Sequence, residues 1–249
     1  MPLTTQWIDF GPGNAFRGYL AHERTGFPLP GLLLIQEAWG VDAHIREVSE
    51  RFAAAGYAVL APDLYAENGK RLPGFGDEEL ANVKASLVPG TAPSPSTQSL
   101  FAGLQAQRPK HLEILHAAAA WLKETCPASK GAKLGSLGFC MGGGLSGQLS
   151  AEGLGLAAAV IFYGQAIPED AIPRVGCEVL CFHGLTDTRL VEPLPAFEKA
   201  MKAAGKDLEV HVYHNAGHAF FNDTRPTYNA AASRDAFARS LQFLNQALS

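Results

Sequence analysis

Short apolar runs alternate along the chain with longer segments of helical period. GLLLIQE (31–37), YAVLAPDLY (57–65), AKLGSLGF (132–139), LAAAVIFYG (156–164), EVLCFHG (178–184) and LEVHVYH (208–214) are continuous enough to be strands buried on both faces, the pattern of a parallel sheet. Between them, 42–55, 110–125, 142–151, 193–204 and 229–247 space their apolar residues as helices do. This alternation predicts an α/β fold with a mostly parallel central sheet and helices on both of its faces. The opening WIDFGPGNAFRGYLAH (7–22) predicts a flanking antiparallel hairpin. One segment breaks the rhythm. From about Ala66 to Arg108, PGFGDEE and VPGTAPSPSTQS crowd Pro, Gly and Ser into an excursion with little periodicity, which predicts an irregular cover over the active site.

Composition adds bounds to this pattern. A chain of 249 residues that is 47% hydrophobic can bury one sizeable core, so residues 1–249 are expected to form one domain. The net charge is −4 with no basic block, which argues against nucleic acid or an anionic membrane as the main partner. The N-terminus lacks a charged region followed by an apolar one, and no apolar run reaches the roughly 18 residues of a membrane span, so a soluble cytoplasmic protein is expected. Cys126, Cys140, Cys177 and Cys181 do not pair by spacing and are expected to be free thiols, with Cys177 and Cys181 in or beside a core strand.

Candidate chemistry centres on Gly138-Phe139-Cys140-Met141-Gly142, which follows the strand run KLGSLGF. A nucleophile on a tight strand-to-helix turn needs small flanking residues, because backbone approaches backbone there and the side chain is left exposed. Neither Ser136 nor Ser146 has glycines on both sides at that spacing. An overlapping dinucleotide fingerprint, Gly142-x-Gly144-x-x-Gly147, lacks the acidic residue expected about 20 positions on, so helix packing accounts better for these glycines. A thiol nucleophile needs a base and a group to orient that base. His218 lies in a Gly-containing loop after the last strand, and Asp187 in the loop after the strand before it. The order Cys140, Asp187, His218 is the nucleophile, acid, histidine order of α/β-hydrolases. His211, His214 and His218 invite a metal reading, but 211 and 214 point to opposite faces of a strand, and no metal site is expected.

Taken together, IQEAWG (35–40), APDLY (61–65), GFCMGGG (138–144), FHGLTD (182–187) and GHAFFNDTRPTYN (217–229) resemble the dienelactone hydrolases (carboxymethylenebutenolidases) of the α/β-hydrolase fold. The resemblance runs from about Gly31 to the C-terminus and is poor from about Ala66 to Arg108. It implies a role for Glu37, which helps generate the thiolate when substrate binds to a resting neutral thiol. It also implies an oxyanion hole made by the backbone N–H groups of Met141 and Ala38. Trp39 and Tyr65 either line the substrate pocket or pack beneath the cover. Dienelactone-cleaving members hold the substrate carboxylate with arginines, one of them four residues after the catalytic histidine, where this chain has Asn222. That leaves Arg225, Arg71 and Arg108 as candidate anchors; a structural role is favoured for Arg225, which predicts a weak preference for anionic lactones.

The expectation is a cysteine-dependent hydrolase of small esters or lactones, acting without metal or organic cofactor as a monomer or small homo-oligomer. The alternative is a non-catalytic ligand-binding or redox-sensing protein of the same fold that uses Cys140 as a sensor thiol.

Overall fold

The computed structural model describes residues 2–86 and 94–249. Its strands are β1 (Leu3–Phe10), β2 (Phe16–Glu23), β3 (Gly31–Ile35), β4 (Ala58–Pro62), a short hairpin of β5 (Ala66–Glu67) and β6 (Lys70–Arg71), β7 (Leu134–Phe139), β8 (Ala158–Phe162), β9 (Glu178–Gly184) and β10 (Leu208–Tyr213). Apart from the short hairpin they form one sheet in the order β1-β2-β4-β3-β7-β8-β9-β10. The pairing of β1 with β2 is antiparallel in a continuous register from Leu3↔Glu23 to Phe10↔Phe16, and β2 also runs antiparallel to β4. All pairings from β4 to β10 are parallel. The expected flanking hairpin is thus present, and it begins earlier than its apolar residues suggest.

The helices are α1 (Ala43–Ala54), α2 (Asp77–Ser86), α3 (Pro95–Ala106), α4 (Arg108–Glu124), α5 (Met141–Leu149), α6 (Thr188–Val191), α7 (Leu194–Ala203) and α8 (Ala230–Leu248). Alternation along the strands distributes the core. Leu32 and Leu34 of β3 pack with Ile45, Val48 and Phe52 of α1, in one cluster with Leu244 and Leu248 of α8. Leu33 and Ile35 pack on the opposite face with Ile114, Leu115 and Leu122 of α4 and Leu145 and Leu149 of α5. A third cluster joins Ile161, Val179 and Cys181 to Leu194, Phe197 and Met201 of α7. Burying each large side chain of this kind contributes about 1.5–3 kcal/mol, so the sheet is held from both sides. All four cysteines are free; Cys181 is buried in β9 and Cys177 half-buried just before it.

The excursion corrects one expectation. It is largely helical, holding α2, α3 and the start of α4, with residues 87–93 outside the described part. Ser94 caps α3 by accepting a hydrogen bond from the Thr97 N–H, and Pro95 occupies the first turn, where its missing N–H costs nothing. No helix among the described residues is long and apolar enough to cross a membrane.

Candidate active site

Every candidate reacting group hangs from the carboxyl edge of the parallel strands, where open α/β sheets place their ligands. Cys140 follows β7 directly and sits at φ 56°, ψ −116°, a strained conformation for a residue with a side chain. The flanking glycines make that turn possible. A Cβ on Gly138 would lie 2.0 Å from the Gly142 carbonyl oxygen, and one on Gly142 would lie 2.4 Å from those of Ile35 and Gln36. The close approach of α5 to β3 and β7 is therefore written in the G-x-C-x-G spacing. Gly147 likewise presses on Ile161, so helix packing accounts for part of the overlapping glycine fingerprint. Ser136 and Ser146 are buried and hydrogen-bond each other across the strand–helix joint at 2.8 Å.

His218, five residues beyond β10, brings Nε2 to 3.2 Å from Cys140 Sγ and Nδ1 to 2.6 Å from Asp187 Oδ2. Asp187 comes three residues after β9 and begins α6. Burial alone would draw the imidazole down, but the charges and hydrogen bonds of Cys140 and Asp187 bring it up to about 10. Burial likewise works to raise the Asp187 carboxyl, yet His218 outweighs it and holds that carboxyl below its ordinary value.

Glu37, two residues beyond β3, is buried. Its Oε1 accepts from the Tyr163 hydroxyl at 3.0 Å and its Oε2 from Asn222 Nδ2 at 2.9 Å. Cys140 Sγ has its hydrogen bond with His218 and none with Glu37. Met141 is the first residue of α5, where an N–H has no intrahelical acceptor, and the Ala38 carbonyl is held by the Tyr65 hydroxyl at 3.1 Å.

A cavity of about 430 Å³ opens over Cys140 and His218. Phe101, Leu104 and Gln105 of α3 line it from the cover, with Arg108 from the start of α4. Met141, Gly144, Tyr163 and Gln165 form the wall beside α5, and Arg189 and Leu190 of α6 form the wall beside Asp187.

This geometry separates the substrate-binding candidates. Arg108 lines the cavity, its guanidinium hydrogen-bonded to Gln148 Oε1 of α5. Arg71 does not; it is tied to Asp63 at 2.7 Å and to Asp77, bracing β6 against α2. Asn222 spends its amide on Glu37 and on Thr224, whose N–H and hydroxyl it accepts. The Arg225 guanidinium stands 5.5 Å from the centre of the Trp39 ring, and neither residue is among those lining the cavity. Tyr65 is fully buried and stacks on Phe75 beneath the cover, at 4.5 Å between ring centres. Trp39 packs, half-buried, against the same core cluster as Tyr65. His211 stacks on Phe182 and pairs with Glu209. Among the cavity-lining residues that the sequence reading passed over are Phe101, Leu104 and Gln105 of the cover, Tyr163, whose positive φ of 36° no pattern announces, and Arg189, two positions after Asp187.

Known proteins share this arrangement of elements. A Klebsiella pneumoniae protein named as a dienelactone hydrolase superposes with a TM-score of 0.83 at 25% identity, covering 99% of this chain and all of that one. A Saccharolobus solfataricus protein bearing the name carboxymethylenebutenolidase is 32% identical over 247 residues, 94% of this chain and 95% of its own. Another of that name, from Methylorubrum extorquens, is 31% identical over 92% of this chain and 76% of its own. The profile of the dienelactone hydrolase family matches residues 16–248. With nearly the whole chain matched, and with the mostly parallel sheet of the α/β-hydrolase fold, the protein belongs to the dienelactone hydrolase family.

Proposed function

We propose that this protein hydrolyses small esters or lactones through an acyl-cysteine intermediate, with Cys140 as nucleophile, His218 as acid and base, and Asp187 as the group that orients His218. The observation that carries the reading is the unbroken contact from Asp187 Oδ2 to His218 Nδ1 and from His218 Nε2 to Cys140 Sγ. Cys140 Sγ gives its proton to His218 Nε2 and attacks the acyl carbonyl; the carbonyl oxygen gains negative charge and faces the N–H groups of Met141 and Ala38. The carbon–oxygen bond to the leaving group breaks as the His218 imidazolium returns its proton to that oxygen. Water, deprotonated by His218, then attacks the thioester and releases the acid and the thiol. The cavity of about 430 Å³ sits at the low end of ligand-site sizes, which favours a small substrate. The reaction needs no metal or organic cofactor, and the family and charge favour a small-molecule substrate.

The test is a panel of p-nitrophenyl esters and small lactones assayed with wild type and Cys140→Ala. Turnover in wild type and its loss in a folded variant support the reading. A thiol that oxidises reversibly in a protein with no turnover on any member of the panel favours the sensor alternative instead.

A further inference from the structure

A second cavity, of about 350 Å³, adjoins the one over Cys140, and Gln105, Arg108 and Gln165 line both. We propose that this second cavity is a subsite for a neutral, hydroxyl-bearing group of the substrate, such as a sugar or polyol. This rests on the hydrolase reading and deepens it: the reacting ester or lactone group occupies the cavity over Cys140, and the hydroxylated group extends from it past the three shared residues.

Three observations carry it. First, the two cavities follow one face of α5. Met141 and Gly144 line the first and Gln148 the second, at the three- and four-residue spacing that shares a helix face, and Glu152 continues the wall just past the helix end. With a rise of about 1.5 Å per residue, Gln148 lies about 12 Å along the axis from Cys140, so a group that fills the second cavity is longer than a methyl or ethyl substituent. Second, the passage between the cavities is open at Gly144. Close backbone or side-chain contacts demand the glycines at 138, 142 and 147, whereas a Cβ on Gly144 would meet nothing nearer than 3.5 Å, and what it would meet is Gln165. A longer side chain at that position would project into the junction. Third, the side chains of Gln105 and Gln165 have no hydrogen-bond partner among the described residues, so each offers a ligand both a donor and an acceptor at that junction. A hydroxyl group likewise donates and accepts.

The charges of the second cavity select for neutrality. Arg108 and Arg174 on its walls are matched by Glu152 and Asp170. The Arg108 guanidinium donates to Gln148 Oε1 at 2.8 Å, and Gln148 Nε2 donates to Glu152 Oε1 at 2.7 Å. The other Glu152 oxygen is bonded to His116 of α4, and the Arg174 guanidinium donates to the Asp170 carbonyl at 2.9 Å. Burial works against the Arg108 charge, and the Glu152 carboxylate offsets part of that cost. An anion entering here meets two carboxylates and a cation two guanidinium groups, while an apolar group strips water from polar walls without replacing its hydrogen bonds. Hydroxyl groups avoid all three costs. Arg189, which lines only the cavity over Cys140, lies outside this balanced set.

The experiment measures binding to the wild-type protein by ligand-detected NMR titration, with amides in place of esters so that hydrolysis does not intervene. N-methylbutyramide is the reference. N-butyrylglucamine carries hydroxyl groups on the alcohol side of the scissile bond, and N-methylgluconamide carries them on the acyl side. N-butyrylglycine and the butyramide of aminocholine supply an anion and a cation. At least one of the two hydroxylated amides is expected to bind at least about tenfold more tightly than the reference, and more tightly than either charged one. Gln105→Ala and Gln165→Ala remove exposed side chains that bond nothing in the protein, and each should reduce that preference about threefold, the two together about tenfold. If a variant does not fold, the wild-type ligand series decides the matter. A preference below about threefold, a preference unchanged in the double variant, or tighter binding of a charged amide overturns the proposal. Turnover of p-nitrophenyl butyrate is followed in parallel. Turnover without the binding preference overturns this inference alone, and the preference without turnover of any ester overturns the hydrolase reading and leaves a binding site for hydroxylated ligands.

Discussion

Lowering the pH from 7 to 5 should weaken the folded state, and two buried imidazoles set how much. Burial holds His111 at about 4, with the Arg108 charge adding to the effect, and burial holds His183 at about 4 against the pull of Asp187. Both are nearly inaccessible, and each has a ring nitrogen without a protein partner, His111 Nε2 and His183 Nδ1. The folded chain refuses protons that the unfolded chain takes up near 6.5. The stability these groups contribute is therefore complete above about 6.5 and is lost as pH falls toward 4. Integrated between pH 7 and 5, the loss is about 2 kcal/mol for each histidine, a large share of a total stability of about 5–15 kcal/mol. His218 has the opposite sign: its stabilisation is complete below about 6.5 and is lost as pH rises through about 10. The assay is urea unfolding at pH 7 and 5, comparing wild type with His111→Leu. His218, His183 and the carboxylates are common to both proteins and cancel in the comparison. The variant should lose about 2 kcal/mol less than wild type between the two pH values, whatever its absolute stability. An equal loss in the two proteins would refute the assignment of His111 as a buried neutral group.

The remaining predictions concern the site. Asp187→Asn and His218→Asn should each lower kcat at least about 100-fold, and the double variant should be hardly worse than the more damaged single one, because groups that act as a unit lose their effect together; additive losses measured with a p-nitrophenyl ester would count against the triad. Tyr65→Phe removes the hydroxyl that holds the Ala38 carbonyl and should lower kcat by about tenfold with KM and melting temperature little changed, a milder loss than removing an oxyanion donor itself. Arg189 lines the cavity with no ion-pair partner among the described residues, whereas Arg225 rests over Trp39. The ratio of kcat/KM for a carboxylate-bearing lactone to that for its methyl ester should therefore fall by about tenfold in Arg189→Ala and stay unchanged in Arg225→Ala; the reverse pattern would return Arg225 to the substrate.

Much of this site could be read from the sequence because backbone crowding restricts residue choice. Gly138 and Gly142 flank Cys140 for steric reasons that act locally, and the loops carrying Asp187 and His218 follow strands whose apolar runs are unmistakable. What was not legible depends on contacts between distant segments. Tyr163 closes an ordinary apolar run, and its bond to Glu37 spans 126 positions. Arg189 follows Asp187 by two residues, yet a lone arginine beginning a short helix looks the same whether it faces solvent or a cavity. The cover was misread for another reason. The Pro, Gly and Ser residues around 73–76 and 94–96 punctuate the chain as breakers do, but Ser94 caps a helix, Pro95 belongs to a first turn, and the acidic Asp77–Glu79 favour a helix N-terminus. Arg71 shows the converse. An arginine in a poorly matched segment invites a substrate role, and the structure uses it to brace one element on another.

The covering elements enter after β4 and return at α4, and between those points the chain contributes walls to the cavity but none of Cys140, Asp187, His218 or Glu37. The candidate reacting groups and the part of the cavity wall formed by Phe101, Leu104 and Gln105 therefore lie on separate stretches of polypeptide. A cover transplanted from a relative has to match at its seams, among them the stacking of Phe75 on Tyr65, the bridges from Arg71 to Asp63 and from Lys84 to Asp42, and the bond from Arg108 to Gln148. Where those seams are kept, recombination within the family can reshape one wall of the cavity and leave Cys140, Asp187 and His218 untouched.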